Sequence, residues 1–173
     1  MSLEEIREIR QRCAVELEMF VHGAMCISYS GRCLMSNYMT GRDANRGSCA
    51  QACRWKYSLV EENRPGQYFP VEEDERGTYI FNSKDMCLLP YLADVLESGV
   101  DSLKIEGRMK SVHYVASVVK AYRMAIDSCF ADREHFKVAP EWLAELEKVS
   151  HRAYTTGFYF GRPTAKDQIY GSS

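Results

Sequence analysis

Apolar side chains recur at two different periods along this chain, and the switch between them lays out its first elements. Leu3, Ile6, Ile9 and Cys13 follow helical spacing, and Ser2 with Glu5 three residues later has the form of a capping box, so a first helix is predicted to run to about Cys13. Over residues 15–22 the pattern turns to strict alternation. Val15, Leu17, Met19 and Val21 share one face, and Glu16, Glu18, Phe20 and His22 share the other. That predicts a strand with one oily face and one chemically mixed face.

Periodicity then disappears. Residues 23–56 form a long segment holding Gly23, Gly31, Gly41 and Gly47 together with four cysteines. Loops of this length inside a compact domain are usually functional or tied down by something else, and a metal centre would tie this one down. Residues 55–62 and 68–71, on either side of Arg64-Pro65-Gly66, predict a hairpin, and the acidic run Glu72, Glu73, Asp74 and Glu75 reads as a solvated connector.

Later segments return to regular patterns. A short strand is predicted at 79–82, a helix at about 89–98 closed by Gly99, and a strand at 102–106. Ser111 caps a predicted long helix to residue 130 with Val112, Val115, Val119, Tyr122 and Ile126 on its buried side. Pro140 opens another, carrying Trp142, Leu143, Leu146 and Val149. Strand, helix, strand, helix is the grammar of a parallel α/β sheet.

A complete eight-fold barrel takes roughly 250 residues, and only about three such strands are legible here. The expected fold is therefore α/β, a partial (β/α) barrel with a long Cys-rich loop and an inserted β-hairpin. It is expected as one domain over 1–173, part of a larger barrel, with the Cys-rich loop at 23–56, the hairpin and acidic connector at 57–77, a βαβα unit at 78–130 and a C-terminal helix and tail at 140–173.

Composition narrows the chemistry. With 46% apolar residues the 173-residue chain can close a core, and a formal charge of -2 gives no global pull toward nucleic acid or membrane. No apolar run is long enough to span a bilayer, and no secretory signal is legible at the N-terminus, so the chain reads as cytoplasmic. In that compartment seven cysteines, an odd count, point to metal or redox chemistry rather than to disulfides.

Cys26 and Cys33 are separated by six residues, Cys49 and Cys53 by three, and all four lie in the glycine-rich loop that begins where a strand ends. Cys87 follows the next predicted strand, so a parallel arrangement would bring it to the same end of the sheet. Crowded thiolates repel unless a cation shares their charge, and Cys ligands suit zinc or iron–sulfur centres. Arg32, Arg42, Arg46, Arg54 and Lys56 stand against the single acid Asp43 in this stretch, which offsets an anionic centre. Spacing alone leaves zinc and iron open. Cys13 and Cys129, each on an apolar helical face, are expected to pack in the core.

The stretch Glu18-Met-Phe-Val-His-Gly23-Ala-Met-Cys26-Ile-Ser-Tyr-Ser-Gly31-Arg-Cys33-Leu-Met-Ser36 resembles the signature of peptidase family U32 at every defining position. Cys49-Ala-Gln-Ala-Cys53-Arg-Trp55-Lys-Tyr, Ser102-Leu-Lys-Ile-Glu-Gly-Arg108-Met-Lys and Ser150-His-Arg-Ala-Tyr-Thr-Thr-Gly-Phe are similar to further segments of that family. The family takes its name from a collagenase assignment. The members resembled here are oxygen-independent hydroxylases of tRNA, ribosomal RNA or quinone precursors that carry a 4Fe–4S cluster on four cysteines.

The resemblance implies Cys26, Cys33, Cys49 and Cys87 as ligands, with Cys53 able to replace one of them. It is closest to the branch that hydroxylates the tRNA wobble uridine with prephenate as the presumed oxygen source. The implied partners are tRNA and the missing N-terminal half of the barrel, with no membrane, and with a homodimer through an exposed sheet edge as a further expectation.

Two candidate surfaces accompany the cluster. Arg42, Arg46, Arg54 and Lys56 beside Trp55 and Tyr57 supply phosphate-binding charge and flat rings for an RNA, although the same cations could serve only to neutralise a cluster, and Trp55 fits a core position better than a stacking platform. Glu18, His22, Lys104, Glu106 and Arg108 lie on the non-oily faces of two strands, which in a barrel point inward at the catalytic end. Lys104 and Arg108 suit the carboxylates of a small acid such as prephenate, while Glu18 and Glu106 could simply pair with those cations. A U32-type peptidase and a structural zinc module are the alternative functions. No HExxH motif is present, and no third residue can be named to orient His22 against Cys26.

Overall fold

The computed structural model describes residues 1–26, 28, 32–55, 57–60, 62–63, 65–66, 69–70 and 84–161. In chain order its elements are α1 (Leu3–Arg12), β1 (Glu18–Ala24), α2 (Met35–Thr40), β2 (Ser58–Leu59), β3 (Phe69–Pro70), β4 (Asp85–Cys87), α3 (Leu92–Glu97), β5 (Ser102–Ile105), α4 (Val112–Ala131), α5 (Pro140–Glu147) and β6 (Tyr154–Thr155). They fall into two compact units, residues 1–25 with 84–163 and residues 26–83 with 164–173. Each has its own architecture.

The first unit is a mixed sheet covered by helices. Its strand order is β5-β1-β4-β6, with β1 parallel to β5, β4 antiparallel to β1 and β6 parallel to β4. The described strands make an open sheet, so the α/β class holds and barrel closure is not seen among them. The antiparallel pairing corrects one expectation. Cys87 lies inside β4, opposite His22, and not beyond the end of a parallel strand.

Local sequence explains the element ends. Ser2 Oγ accepts a hydrogen bond from the Glu5 amide at 3.2 Å while Glu5 Oε2 accepts from the Ser2 amide at 2.6 Å, so the expected capping box starts α1. Strand β1 begins at Glu18, later than the alternation suggested, because Val15 is 61% exposed and has no core to face. Gly23 is required near the other end. Its φ is +112°, and a Cβ there would sit 2.4 Å from the Glu106 carbonyl oxygen. This close approach lets the Glu106 amide donate to His22 O at 2.8 Å where the β1–β5 register shifts.

Helix α4 is capped as expected, with Ser111 Oγ accepting from the Tyr114 amide at 3.1 Å. Its buried face differs from the expected one. Tyr114, Ser117, Val118, Ala121, Tyr122, Ala125 and Cys129 face the core, whereas Val112, Val115 and Val119 are exposed. Apolar residues occupy more than one side of this helix, so periodicity could not choose between them; Tyr122 settles it by bonding Val21 O and the Leu88 amide beneath the helix. Around them Val21, Leu88, Leu89, Leu92, Val95 and Val118 are fully buried in one core. Cys129 is buried as expected, but Cys13 is not: it is the exposed cap at the end of α1.

The second unit is built from short pieces. Helix α2 ends at Gly41, whose left-handed φ of +69° lets its amide donate to Asn37 O at 2.7 Å. Buried Ser36 Oγ accepts from the Ala50 amide at 2.9 Å, fastening α2 to the segment that carries Cys49 and Cys53. Two 3-10 turns, Ala44–Arg46 and Ala52–Arg54, follow. Strands β2 and β3 pair antiparallel, which is the hairpin the Pro-Gly sequence suggested. The acidic run 72–75 and the strand expected at 79–82 lie outside the described residues. No described helix is long and apolar enough to cross a membrane.

Candidate functional site

In the second unit the chain brings four sulfur-bearing residues into one electrostatic neighbourhood. Burial pushes the Cys53 thiol above its ordinary range; Arg54 opposes the shift, and the thiols of Cys26, Cys49 and Cys33 add to it. Such an influence on Cys53 requires proximity. Cys26 is exposed and the other three are half-buried, so the group is open to an incoming metal species.

The backbone is shaped around this group. Gln51 has a left-handed φ of +55°, an unusual conformation for a residue with a side chain, and its amide donates to Cys49 Sγ at 3.3 Å. Among the described residues no three of His, Cys, Asp or Glu stand close enough together to hold a metal ion.

The cations lie in the same unit. Arg42 and Arg46 are exposed and Arg54 is half-buried. Trp55 is 43% exposed, which corrects the expectation of a core position and leaves its ring available at the surface. Tyr57 donates its hydroxyl to Ala52 O at 2.7 Å, closing the turn that carries Cys53. Lys56 lies outside the described residues.

In the first unit Cys87 and His22 are neighbours across β4 and β1. Burial pushes the Cys87 thiol up to about 11, with hydrogen bonds from Leu89 and Tyr122 opposing. A thiol this hard to ionise is a poor nucleophile at neutral pH, although a bound metal would deprotonate it. His22 is fully buried among the rings of Tyr114, Tyr122 and Tyr154, with centroids 6.1, 5.5 and 5.4 Å away. Burial lowers its pKa to about 4, against the pull of Asp85, so the ring is neutral.

Of the other residues suggested by the alternation, Glu18 and Lys104 pair at 3.2 Å on the surface, each 57% exposed. Glu106 Oε1 accepts from the Arg108 amide at 3.0 Å, while the Arg108 side chain is exposed. Sequence reasoning missed Asp85 and Tyr114, and placed Tyr122 correctly on the buried side of α4 without giving it a role. Asp85 is 2% exposed, accepts from the Arg152 amide at 3.1 Å and lies 4.0 Å from Lys110 Nζ. The one available signal was the eight-residue spacing of the two tyrosines, which puts both on one side of α4.

The model of peptidase family U32 matches residues 1–169. The tRNA hydroxylation protein P1 of Bacillus subtilis is 47% identical over 170 residues, covering 98% of this chain and 40% of that protein. The tRNA hydroxylation protein P of Escherichia coli is 40% identical over 198 residues, covering 91% of the chain and 43% of that protein. The 23S rRNA 5-hydroxycytidine C2501 synthase of Escherichia coli is 35% identical over 173 residues, 94% of the chain and 25% of that protein. The chain thus spans about two fifths of the length of the first two relatives. No solved structure matches it significantly. The chain belongs to peptidase family U32 and stands with the family's tRNA hydroxylation proteins.

Proposed function

We propose that this chain is the cluster-binding part of an iron–sulfur-dependent, oxygen-independent RNA hydroxylase that acts on the tRNA wobble uridine, with prephenate as the hydroxyl source. The observation that carries this reading is that Cys26, Cys33, Cys49 and Cys53 fall within one small unit, where the first three lie near enough to act on the Cys53 thiol. Three similar proteins named for RNA hydroxylation support the substrate class.

The donor chemistry fits the group. Soft thiolates suit iron–sulfur clusters, the Gln51 amide donates to Cys49 Sγ, and the charge of Arg54 opposes the burial that raises the Cys53 thiol. Cys26, Cys33, Cys49 and Cys87 are the ligands we assign, with Cys53 the substitute for one of them. When bound, a 4Fe–4S cluster supplies electron-transfer chemistry at thiolate-held iron. Arg42, Arg46 and Arg54 would hold RNA phosphates and Trp55 would stack an unpaired base. Lys104 and Arg108 would bind the carboxylates of prephenate, with Glu18 and Glu106 setting their positions. The edge of β5 would be covered by the rest of the barrel, with a second copy of the chain as the alternative.

The test uses the full-length protein in cells lacking the native copy. Nucleoside mass spectrometry of bulk tRNA should show the hydroxylated wobble uridine with the wild-type protein and its loss with Cys26→Ser or Cys87→Ser. Unchanged hydroxylation in both variants would end this reading. Gelatin cleavage that survives those substitutions and iron chelation would favour a peptidase instead.

A further inference from the structure

Helix α4 buries one side in the core and leaves an apolar stripe on another. Val112, Val115 and Val119, spaced i, i+3 and i+7, are 87%, 38% and 46% exposed. They form the floor of a groove of about 580 Å³ in the first unit, and Lys110, Lys120 and Arg123 stand around it. Single exposed apolar residues are ordinary on a protein surface. A row of three valines at helix-packing spacing is not: β-branched residues are poor helix formers, so an exposed helix face gains from them only when something covers it.

Among the described residues the groove is lined by three cations and no acid. The acids that meet these cations, Asp85, Asp127 and Glu145, stand outside the lining. Two of the cations are held in place, because Lys110 Nζ donates to Ser150 O at 2.7 Å and Arg123 pairs with Asp127 at 2.5 Å. Positive charge therefore stands at both ends of an apolar floor.

That pattern selects the occupant. A second copy of the chain laid on this face would set cation against cation in either helix direction, since both ends carry the same sign. RNA phosphates would meet the cations, but valine offers a base neither a flat ring nor a hydrogen bond. A helix with an apolar ridge and acidic flanks fits both floor and rim. Length indicates its source: the chain covers 40% and 43% of the first two relatives, so more than half of a polypeptide of their size lies outside the matched region.

We infer that the groove over Val112, Val115 and Val119 is the docking site for an acidic amphipathic helix from the remainder of a longer polypeptide to which this chain belongs. Apolar side chains of that helix pack between the valines, and its carboxylates meet Lys120 and Arg123. The inference rests on the reading of this chain as part of a larger hydroxylase and names a surface apart from the β5 edge. Its readouts are stability and accessibility, so it can fail while iron content and hydroxylation stand, and the reverse.

The experiment compares the full-length protein with the chain of residues 1–173. Val112→Asp combined with Val119→Asp should lower the melting temperature of the full-length protein by several degrees, because two carboxylates would be trapped beneath the docked helix. In the chain of residues 1–173 the same pair should move it by less than about 2 °C, since both sites are open there and aspartate matches valine in helix propensity. Should the full-length variant fail to fold, the unaltered protein decides the matter. Acetylation of Lys120 by an amine reagent, read by mass spectrometry, should be slower than that of exposed Lys137 in the full-length protein and equally fast in the shorter chain. Equal melting shifts in the two forms, or Lys120 labelled as fast as Lys137 in the full-length protein, overturns the inference. So does a dimer of the shorter chain that the paired substitution dissociates, or a native polypeptide of only 173 residues.

Discussion

His22 and Cys87 stand directly opposite each other on antiparallel strands β1 and β4, and Tyr122 reaches both from helix α4. The relationship ties a candidate cluster ligand to the most deeply buried polar side chains of the sheet. A change at Cys87 would be felt by β1 and α4 together, because Tyr122 of α4 bonds Val21 O of β1 and touches Cys87.

Tyr122 should therefore matter more than its position on a helix suggests. Its hydroxyl bonds Val21 O and the Leu88 amide in a fully buried setting. Tyr122→Phe is expected to lower unfolding free energy by about 1–3 kcal/mol, the usual cost of leaving buried groups unsatisfied. Urea denaturation at fixed pH measures it; a variant as stable as the parent would show that these bonds contribute nothing net.

The join between α1 and the β5 approach is expected to weaken in acid. Asp101 accepts from the Leu17 amide at 2.8 Å and from Arg10, whose Nε also donates to Gly99 O at 2.6 Å. The Leu17 amide first, then Arg10, hold the Asp101 carboxyl below its ordinary range. A depressed carboxyl binds its proton more weakly in the folded state, so its contribution is present above the unfolded pKa and is lost as pH falls through the carboxylate range. Melting temperature recorded against pH should fall less steeply on acidification in Asp101→Asn than in the parent. Identical slopes would remove Asp101 from the account.

The proposed RNA surface makes a salt-dependent claim. Arg46→Ala combined with Arg54→Ala is expected to weaken tRNA binding alike across sequences and to reduce the slope of log affinity against log salt by about 0.7–0.9 for each phosphate no longer neutralised. Filter binding over a salt series reads this directly. A slope equal to that of the parent would show that these arginines serve the thiols or the solvent and not RNA.

Much of the fold is legible in the sequence, and the failures have physical causes. The capping box at Ser2 and Glu5 and the Ser111 cap are local devices, so short spacings suffice. The buried side of α4 escapes periodicity because valines and tyrosines compete for the core, and only the partners Val21 and Leu88, far away in sequence, decide between them. The direction of β4 is equally hidden. Strand pairing is a tertiary choice, and three residues, Asp85–Cys87, carry no periodic signal. Long motif resemblance picks out the cysteines where spacing alone leaves zinc and iron undecided, but Asp85 and Tyr114 lie outside every motif.

The central claim is that the cysteines of this chain hold one shared iron–sulfur centre. Iron, zinc and acid-labile sulfide should be measured on protein purified without oxygen, for the parent and for Cys26→Ser, Cys33→Ser, Cys49→Ser, Cys53→Ser and Cys87→Ser. The expected result is brown protein with about four irons and four sulfides per chain. Iron should drop sharply in the Cys26, Cys33 and Cys87 variants and in at least one of the Cys49 and Cys53 variants. Colourless protein with stoichiometric zinc, or iron content indifferent to all five substitutions, would contradict it.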